Sequence, residues 1–369
     1  MAQFLRRVIS TLRRLWYRWT GKPTGRLISI SAANAGAIAR NYPGVTAVTR
    51  SENGGESPLV AGHLPEDLLD QLRPFNLTSE TILLDIANSG FSFRNNLLYD
   101  PALCVVFGDD TASDAEVPDN CRYVPRQCRK LDGTVAYLSN GWVDNYYHWM
   151  QLTMPLLRCY AELAPSARPD YFYVGDAALH PFQKETLALA GIAADRIVTQ
   201  PCRADRLLAA IKIHRRQHGT RFRDRAGHDF VRALFAPEPQ STPPRRYYIE
   251  RGKVHHRRFA GEAALAGFLR AYDFEAVGMD GRSVAQQAAL FAGASAIVAP
   301  HGAALTNLIF AQPRTKVIEI FPPGYQEPSY FAAATHGDLD YHYMIGNDNG
   351  ADTNKLARLL AKAGIDRNG

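Results

Sequence analysis

The pattern of apolar and polar positions divides most of the chain into segments of strand and helix length. Apolar runs of about four to eight residues predict buried strands, and apolar residues at three- and four-residue steps predict helices. Residues 23–80 follow neither period, and we expect irregular structure there. Beyond them the predicted strands are 81–86, 103–107, 134–138, 171–174 and one within 206–214, and the predicted helices are 145–163 and 181–191.

The alternation of strands and helices is most regular in the C-terminal part of the chain. The predicted strands are 246–250, 274–277, 294–299, 316–321 and 341–345, and the predicted helices are 260–271, 283–292, 303–311, 328–335 and 352–363. Strands that alternate with helices are typical of a doubly wound parallel sheet, which binds ligands at the carboxyl ends of its strands. We therefore expect an α/β fold with two domains that face each other across a cleft.

A proline-rich segment separates the two predicted domains. Residues 236–244 contain four prolines, which cannot continue regular structure. The predicted organisation is a basic helix over 1–22, an N-terminal α/β domain over 23–235, this linker, and a C-terminal Rossmann-like domain over 245–369.

The net charge of +6 is concentrated at the N-terminus. Six of the 42 basic residues lie within 1–22, and this segment contains no acidic residue. The basic residues of the remaining chain therefore equal its 36 acidic residues in number, and that part is neutral. At helical spacing the apolar residues of this segment share one side, and the arginines flank it. We expect an amphipathic helix on an anionic membrane surface. The alternatives are a helix docked on its own protein and a nucleic-acid-binding segment, which the neutral remainder of the chain disfavours.

The N-terminal sequence and the spacing of the cysteines are those expected of a cytoplasmic protein. Arginines interrupt every apolar core near the N-terminus, no run of 18 apolar residues occurs, and the five cysteines form no C-x-x-C pair. We expect a cytoplasmic protein that is peripheral on the inner face of the cell membrane.

The turn after the predicted strand 294–299 is the best candidate for a binding site. Pro300 ends the strand, His301 and Gly302 form the turn, and a helix follows at once. The first N–H groups of a helix lack internal partners, so they suit a phosphate or diphosphate. Gly302, Ala303 and Ala304 keep bulk away from that anion, and His301 would donate a hydrogen bond to it.

Arginines that follow the strand 246–250 are expected at the same edge of the sheet. Arg251 comes directly after Glu250, and Arg257 and Arg258 follow within the next loop. A guanidinium offers two parallel donors to phosphate oxygens. We assign Arg251 and Arg257 to donor binding, although either arginine of the pair 257–258 fits the pattern.

Several blocks of this sequence resemble glycosyltransferase family 61, which includes plant xylan transferases, animal protein N-acetylglucosaminyltransferases and bacterial capsular polysaccharide proteins. The blocks are Asn145-Tyr-Tyr-His148-Trp149, the cluster Arg251…Arg257-Arg258…Glu262, Ser283-Val-Ala-Gln286-Gln287, Pro300-His301-Gly302-Ala303-Ala304-Leu305-Thr306-Asn307, and Val317-Ile-Glu319-Ile. This chain has Gln286-Gln287 where the family usually has Glu-Gln. The resemblance implies an inverting transferase of the GT-B architecture, in which two Rossmann-like domains face a cleft. It also implies a nucleotide-sugar donor, expected to be UDP-linked, and neither metal nor cofactor.

The remaining candidate residues are assigned to the roles that sugar transfer requires. Glu319 either binds the ribose hydroxyls or is a buried carboxylate, and Asn307 belongs to the donor-binding block. A base must take the acceptor proton, and His148 or Asp144 would supply it, unless Asp144 is only the helix N-cap. Asn145 and Trp149 are placed on the acceptor side, where Trp149 either stacks on a sugar or fills the core.

The expected acceptor is a glycan or lipid-linked saccharide in surface polysaccharide synthesis. The alternatives are a non-catalytic protein that binds nucleotide sugar or polysaccharide at the membrane, and a different polysaccharide-modifying transferase. Asp338-Leu339-Asp340 matches the D-x-D pattern of metal-dependent transferases. Because so short a match often arises by chance, we expect no metal there.

Overall fold

The computed structural model of the protein describes residues 21–23, 26–29, 45–53, 78–87, 90–91, 98–100, 105–108, 123–125, 129–138, 143–175, 178–200, 202–213, 225–236, 243–252, 259–327, 329–347 and 350–367. Residues 1–20 of the predicted amphipathic helix lie outside this part of the chain, as do Arg257, Arg258 and most of the predicted linker. Gly21 and Lys22 pair with Pro125 and Val124 as a strand, so the helix predicted over 1–22 does not include them.

The described strands and helices are numbered in chain order. The strands are β1 Gly21–Pro23, β2 Arg26–Ser29, β3 Val45–Asn53, β4 Thr78–Ala87, β5 Gly90–Phe91, β6 Leu98–Asp100, β7 Val105–Gly108, β8 Tyr123–Pro125, β9 Arg129–Tyr137, β10 Tyr171–Tyr173, β11 Ile197–Val198, β12 Cys202–Ile213, β13 Arg245–Ile249, β14 Phe274–Val277, β15 Ala294–Pro300, β16 Lys316–Phe321 and β17 Asp340–Ile345. The helices are α1 Tyr146–His148, α2 Leu157–Ala161, α3 Pro181–Leu189, α4 Arg225–Phe235, α5 Glu262–Arg270, α6 Val284–Ala292, α7 Ser329–His336 and α8 Thr353–Lys362. A π-helix spans Trp149–Thr153, and 3₁₀ helices span Met154–Leu156, Pro165–Ala167, Ala194–Arg196 and Ala303–Phe310.

The described elements up to β12 belong to one compact unit, and those from α4 onward belong to a second. In the first unit, β9, β10 and β11 are consecutive parallel strands, joined by the helical segment 146–161 and then by α3. β12 pairs parallel to β9 on the other side. These four strands form the layered α/β core that the alternating pattern predicts.

The rest of the first sheet differs from a Rossmann-like sheet. β4 pairs antiparallel with both β12 and β3, and β5, β6 and β7 continue the sheet as an antiparallel meander. The N-terminal domain is thus a mixed sheet, and the prediction of a second Rossmann-like domain was too specific. Strands joined without an intervening helix pair antiparallel, and the irregular pattern before residue 80 did not reveal β3.

The segment 146–161 changes its helical type three times along its length. The N–H group of Met154 bonds the carbonyl of Trp149, five residues back, which defines the π-turn. Pro155 has no N–H group to continue an α-helical ladder, and a 3₁₀ turn follows before α2. The continuous helix predicted over 145–163 is therefore a composite one, with α-helix at both ends only.

The second unit contains a five-stranded parallel sheet in the order β14-β13-β15-β16-β17. This order confirms the predicted doubly wound sheet. The chain leaves β13 toward β14 on one side and reaches β15 on the other, so the strand order reverses between β13 and β15. Ligands of doubly wound sheets bind at the carboxyl edge of this switch point.

Side chains on the two faces of this sheet pack against different helices. On one face Tyr248, Val298 and Ile318 belong to a core with Leu265 of α5 and Leu356 of α8. Because strand side chains alternate, the buried residues Ile297, Val317 and Glu319 point to the opposite face. There α6 and α7 both contact the 3₁₀ helix Ala303–Phe310.

Helix α4 precedes the predicted linker but packs within the second unit. Arg232 donates to the carbonyls of Ile309 and Ala311 at the end of the 3₁₀ helix, and the Phe235 ring lies against Phe310. Within the described residues, no helix has the length and apolarity needed to cross a membrane.

Candidate active site

Two loops meet at the switch point of the second sheet. Arg251 follows the end of β13, and His301 and Gly302 follow the end of β15, which is the neighbouring parallel strand. The Arg251 Nη1 atom donates to the carbonyl oxygen of His301 at 2.7 Å. The sequence prediction that these residues share one edge is therefore confirmed by their direct contact.

Gly302 gives the Arg251 guanidinium the space it occupies. A Cβ atom built at Gly302 would lie 1.5 Å from the Nη1 atom of Arg251. The φ angle of Gly302 is 171°, an extended conformation that any residue adopts. The position of the Arg251 guanidinium, rather than the backbone conformation, therefore depends on the absence of a side chain at Gly302.

A carboxylate holds the backbone at Arg251. Glu262 is the first residue of α5, and its Oε1 atom accepts from the backbone N–H group of Arg251 and, at 3.4 Å, from the hydroxyl group of Tyr248. Burial raises the pKa of Tyr248, and the charge of Glu262 raises it further, so this hydroxyl group remains a donor. Glu262 thus fixes the position from which the Arg251 side chain starts.

His301 is buried in a ring of aromatic side chains. It is 5% exposed, and its ring centroid lies 5.3 Å from that of Phe321, 5.4 Å from that of Tyr325 and 5.2 Å from that of Tyr330. Its Nδ1 atom lies 2.5 Å from Oε1 of Glu319. Because Nδ1 is bonded to Glu319, Nε2 is the ring nitrogen left for a further hydrogen bond.

Glu319 lies beneath His301 and does not face a ligand. Its side chain is completely buried, one oxygen contacts His301 Nδ1, and the other accepts from the hydroxyl group of Tyr341. The assignment of Glu319 to ribose binding is thus replaced by its alternative, a buried carboxylate. Burial raises the pKa of Tyr341 well above its usual value, and the neighbouring carboxylate adds to this effect.

The helix after the turn begins with open N–H groups but is a 3₁₀ helix. The N–H group of Leu305 bonds the carbonyl of Gly302, three residues back. Ala303 is exposed and Ala304 is half-buried at the start of this helix. Their N–H groups lie in the first turn, where a helix provides no acceptor, so they can receive an anion.

Asn307 stabilises the fold of this helix. It is completely buried, and its amide nitrogen donates to Gln287 Oε1 at 2.8 Å and to the carbonyl of Ala304 at 3.0 Å. Both amide protons are used within the protein, which corrects its assignment as a donor-binding residue. Gln286 forms a capping box with Ser283 at the start of α6.

The acceptor-side candidates lie at the start of the helical segment 146–161 in the first unit. Asn145, rather than Asp144, is the N-cap, because its Oδ1 atom accepts from the N–H groups of Tyr147 and His148. Asp144 is exposed and His148 is half-buried. Trp149 is completely buried and donates from Nε1 to Thr186 at 2.8 Å, so it fills the core and does not stack on a sugar.

Acidic residues with a metal-binding pattern lie away from this site. Asp338 and Asp340 stand at the amino end of β17, the edge of the sheet opposite to His301. Among the described residues, no group of three or more His, Cys, Asp or Glu side chains could hold a metal ion.

Sequence reasoning missed Tyr341 and the aromatic residues around His301. The sequence did indicate that Glu319 needs hydrogen-bond partners. It is the one carboxylate in the apolar stretch 317–321 of β16, and a buried charge requires hydrogen-bond donors. The neighbouring strand supplies one of them. Its identity depends on strand order, which the sequence pattern does not reveal.

Residues 146–318 match the family model described as Glycosyltransferase 61. The matched segment is slightly less than half of the chain and includes His148, Arg251 and the His301 turn. Curated proteins give no match to this chain. The match supports glycosyltransferase family 61, and the protein is a glycosyltransferase.

Proposed function

We propose that this glycosyltransferase is an inverting, metal-independent enzyme that uses a nucleotide-sugar donor, with UDP as the expected nucleotide. Its acceptor is a glycan or lipid-linked saccharide of a surface polysaccharide, as in the bacterial capsular members of the family. The basic segment 1–22 holds the enzyme on the anionic inner face of the cell membrane. The GT-B arrangement remains a prediction from the family resemblance.

The observation that carries the proposal is the contact of Arg251 with the His301–Gly302 turn at the switch point. The Arg251 guanidinium contacts the turn that carries two other kinds of donor, the His301 ring and the N–H groups of Ala303 and Ala304. A fixed cation beside open backbone donors suits a diphosphate group. These groups would stabilise the departing nucleoside diphosphate without a metal.

The proposed reaction is a single displacement. The acceptor hydroxyl oxygen attacks the anomeric carbon, the bond from that carbon to the diphosphate oxygen breaks, and both of its electrons leave with the nucleoside diphosphate. The acceptor proton passes to a base, for which we propose His148, with Asp144 as the exposed alternative four residues before it. An imidazole titrates in the range that such a base requires.

Thermal unfolding with a panel of nucleoside diphosphates in the presence of EDTA tests the donor site. At a hundredfold excess over Kd, a ligand that binds the folded state adds about 2.7 kcal/mol of stability. We expect UDP to raise the Tm of wild type, and Arg251→Ala to weaken binding about 10- to 100-fold, since a charged hydrogen bond is worth about 1.5–3 kcal/mol.

Arg245→Ala is the matched control for this variant. Arg245 lies at the amino end of the same strand, where it forms an exposed ion pair with Glu275 at 2.9 Å. Its removal should leave UDP binding unchanged. Equal loss in the two variants, or binding that requires a divalent metal, would place the donor elsewhere.

A further inference from the structure

The carboxylate of Glu319 is enclosed between two donors on different elements. His301, after β15, contacts one oxygen through Nδ1, and Tyr341 of β17 donates its hydroxyl proton to the other. Glu319 is 0% exposed and His301 is 5% exposed. No arginine or lysine is bonded to Glu319 within the described residues, so its charge is available to the His301 ring.

We propose that Glu319 keeps His301 in the doubly protonated imidazolium form when the donor is bound, so that His301 Nε2–H donates to the diphosphate, with Tyr341 as a positioning residue that holds Glu319. This inference rests on the proposed function, because it requires a diphosphate at the His301–Gly302 turn. It makes the Tyr341–Glu319–His301 chain a determinant of donor binding, although neither Tyr341 nor Glu319 contacts the donor.

With Glu319 ionised, the hydrogen-bond chemistry of imidazole favours this protonation state. A neutral ring that gives its Nδ1 proton to Glu319 has only a lone pair on Nε2, and that lone pair would repel a phosphate oxygen. A ring protonated on both nitrogens donates to Glu319 and to the phosphate at once. A buried carboxylate favours the charged ring, as the aspartate of a catalytic triad favours its imidazolium.

Tyr341 keeps the negative charge on Glu319. A hydrogen bond to a carboxylate stabilises its ionised form, so the proton shared with His301 stays on the ring. The raised pKa of Tyr341 keeps its hydroxyl group protonated and able to donate over the whole range in which enzymes of this kind are assayed.

The groups that face His301 determine how the charge of the site responds to a bound diphosphate. The Arg251 guanidinium lies on the carbonyl of His301, and the Phe321, Tyr325 and Tyr330 rings cover the imidazole. Arg251 and the doubly protonated ring are two cations beside two carboxylates, Glu319 and Glu262. A diphosphate adds negative charge to this cluster, so donor affinity should fall as the pH rises and the ring loses its second proton.

Nuclear magnetic resonance of ¹⁵N-histidine-labelled full-length protein with saturating UDP at pH 8 tests the inference. The His301 signals are identified by their loss in His301→Gln. We expect both ring nitrogens of His301 to be protonated in the wild-type complex. In Glu319→Gln we expect a neutral ring and about tenfold weaker UDP binding at pH 8, with most of that loss recovered at pH 6.

Tyr341→Phe provides a second variant that keeps the buried charge, in case Glu319→Gln does not fold. We expect its UDP affinity at pH 8 to fall about threefold, with a larger neutral fraction of His301. Tyr343→Phe is the matched control, because it removes a hydroxyl group two residues away on the same strand, and Glu319 accepts no hydrogen bond from it. It should match wild type in both measurements.

The outcomes separate this inference from the proposed function. UDP bound by a neutral His301 ring, or a loss in Glu319→Gln that is equal at pH 6 and pH 8, overturns the inference and leaves the donor site in place. Failure of every nucleoside diphosphate to bind wild type overturns both.

Discussion

At the scale of single residues, Arg251 and His301 of the candidate site are each held by a buried or half-buried carboxylate. Glu262 holds the backbone of Arg251, and Glu319 holds the ring of His301. Each of these carboxylates also accepts a hydrogen bond from a buried tyrosine hydroxyl group. Membership of a sequence block therefore does not distinguish a residue that binds the donor from one that supports it.

Gly302→Ala tests the packing of Arg251 on the turn. The added methyl group would overlap the guanidinium, which is the end of a flexible side chain, so Arg251 should move and the backbone should not. We expect a change in unfolding free energy below about 1 kcal/mol. UDP affinity should fall at least tenfold, measured by calorimetric titration.

Gly267→Ala is the control for this change. Gly267 lies within α5, and a Cβ atom there would meet nothing within 4 Å. Alanine in a helix interior is favoured over glycine by about 1 kcal/mol, so this variant should be more stable and should bind UDP like wild type. Unchanged UDP binding in Gly302→Ala would argue against Arg251 as a phosphate ligand.

At the scale of elements, the far end of the 3₁₀ helix is held by α4. Arg232 donates from Nη1 to the carbonyls of Ile309 and Ala311 and from Nη2 to Gln312 Oε1. The last carbonyls of a helix lack internal donors, so the guanidinium caps them. This attachment fixes the helix whose first turn carries the candidate anion site.

Arg232→Ala should therefore destabilise the protein by about 2–3 kcal/mol, because it leaves these carbonyls without their donor. Urea unfolding at neutral pH measures the change. Arg225→Ala removes an arginine from the same helix, where it forms an exposed ion pair with Asp229, and should cost less than about 0.5 kcal/mol. Equal effects of the two substitutions on the free energy of unfolding would show that the cap contributes little to stability.

The elements of the second unit were predicted closely, and those of the first only in part. β14 and β16 have the predicted bounds, and in β16 a nearly continuous apolar run leaves little freedom in where a buried strand begins. The π-turn and the 3₁₀ turns of the segment 146–161 were not predicted, because they depend on backbone hydrogen bonds around Pro155. Side-chain periodicity does not report such bonds.

At the scale of the whole molecule, charge is distributed unevenly between the N-terminus and the rest of the chain. The proposed membrane attachment follows from this distribution, since each basic residue near an anionic surface contributes about 1 kcal/mol. The two compact units supply the candidate donor site and the acceptor-side candidates separately. Attachment and donor binding should therefore be separable by mutation.

Replacement of Arg6, Arg7, Arg13 and Arg14 by Gln tests the attachment. We expect the wild-type protein to sediment with vesicles that contain anionic lipid, and the variant to lose at least a hundredfold in apparent affinity. Uncharged vesicles should bind both proteins weakly, and salt should weaken wild-type binding. UDP binding should stay unchanged in the variant, and equal sedimentation of both proteins with anionic vesicles would contradict the proposal.

The sequence by itself determined the doubly wound character of the second sheet, the placement of Arg251 and the His301–Gly302 turn at one edge of that sheet, and the family resemblance. Local periodicity and turn residues carry this information, because parallel strands joined by helices place their carboxyl ends at one edge. Only the tertiary structure decided that Trp149, Asn307 and Glu319 are buried. Burial depends on which strands and helices become neighbours, and that choice arises from packing over the whole unit.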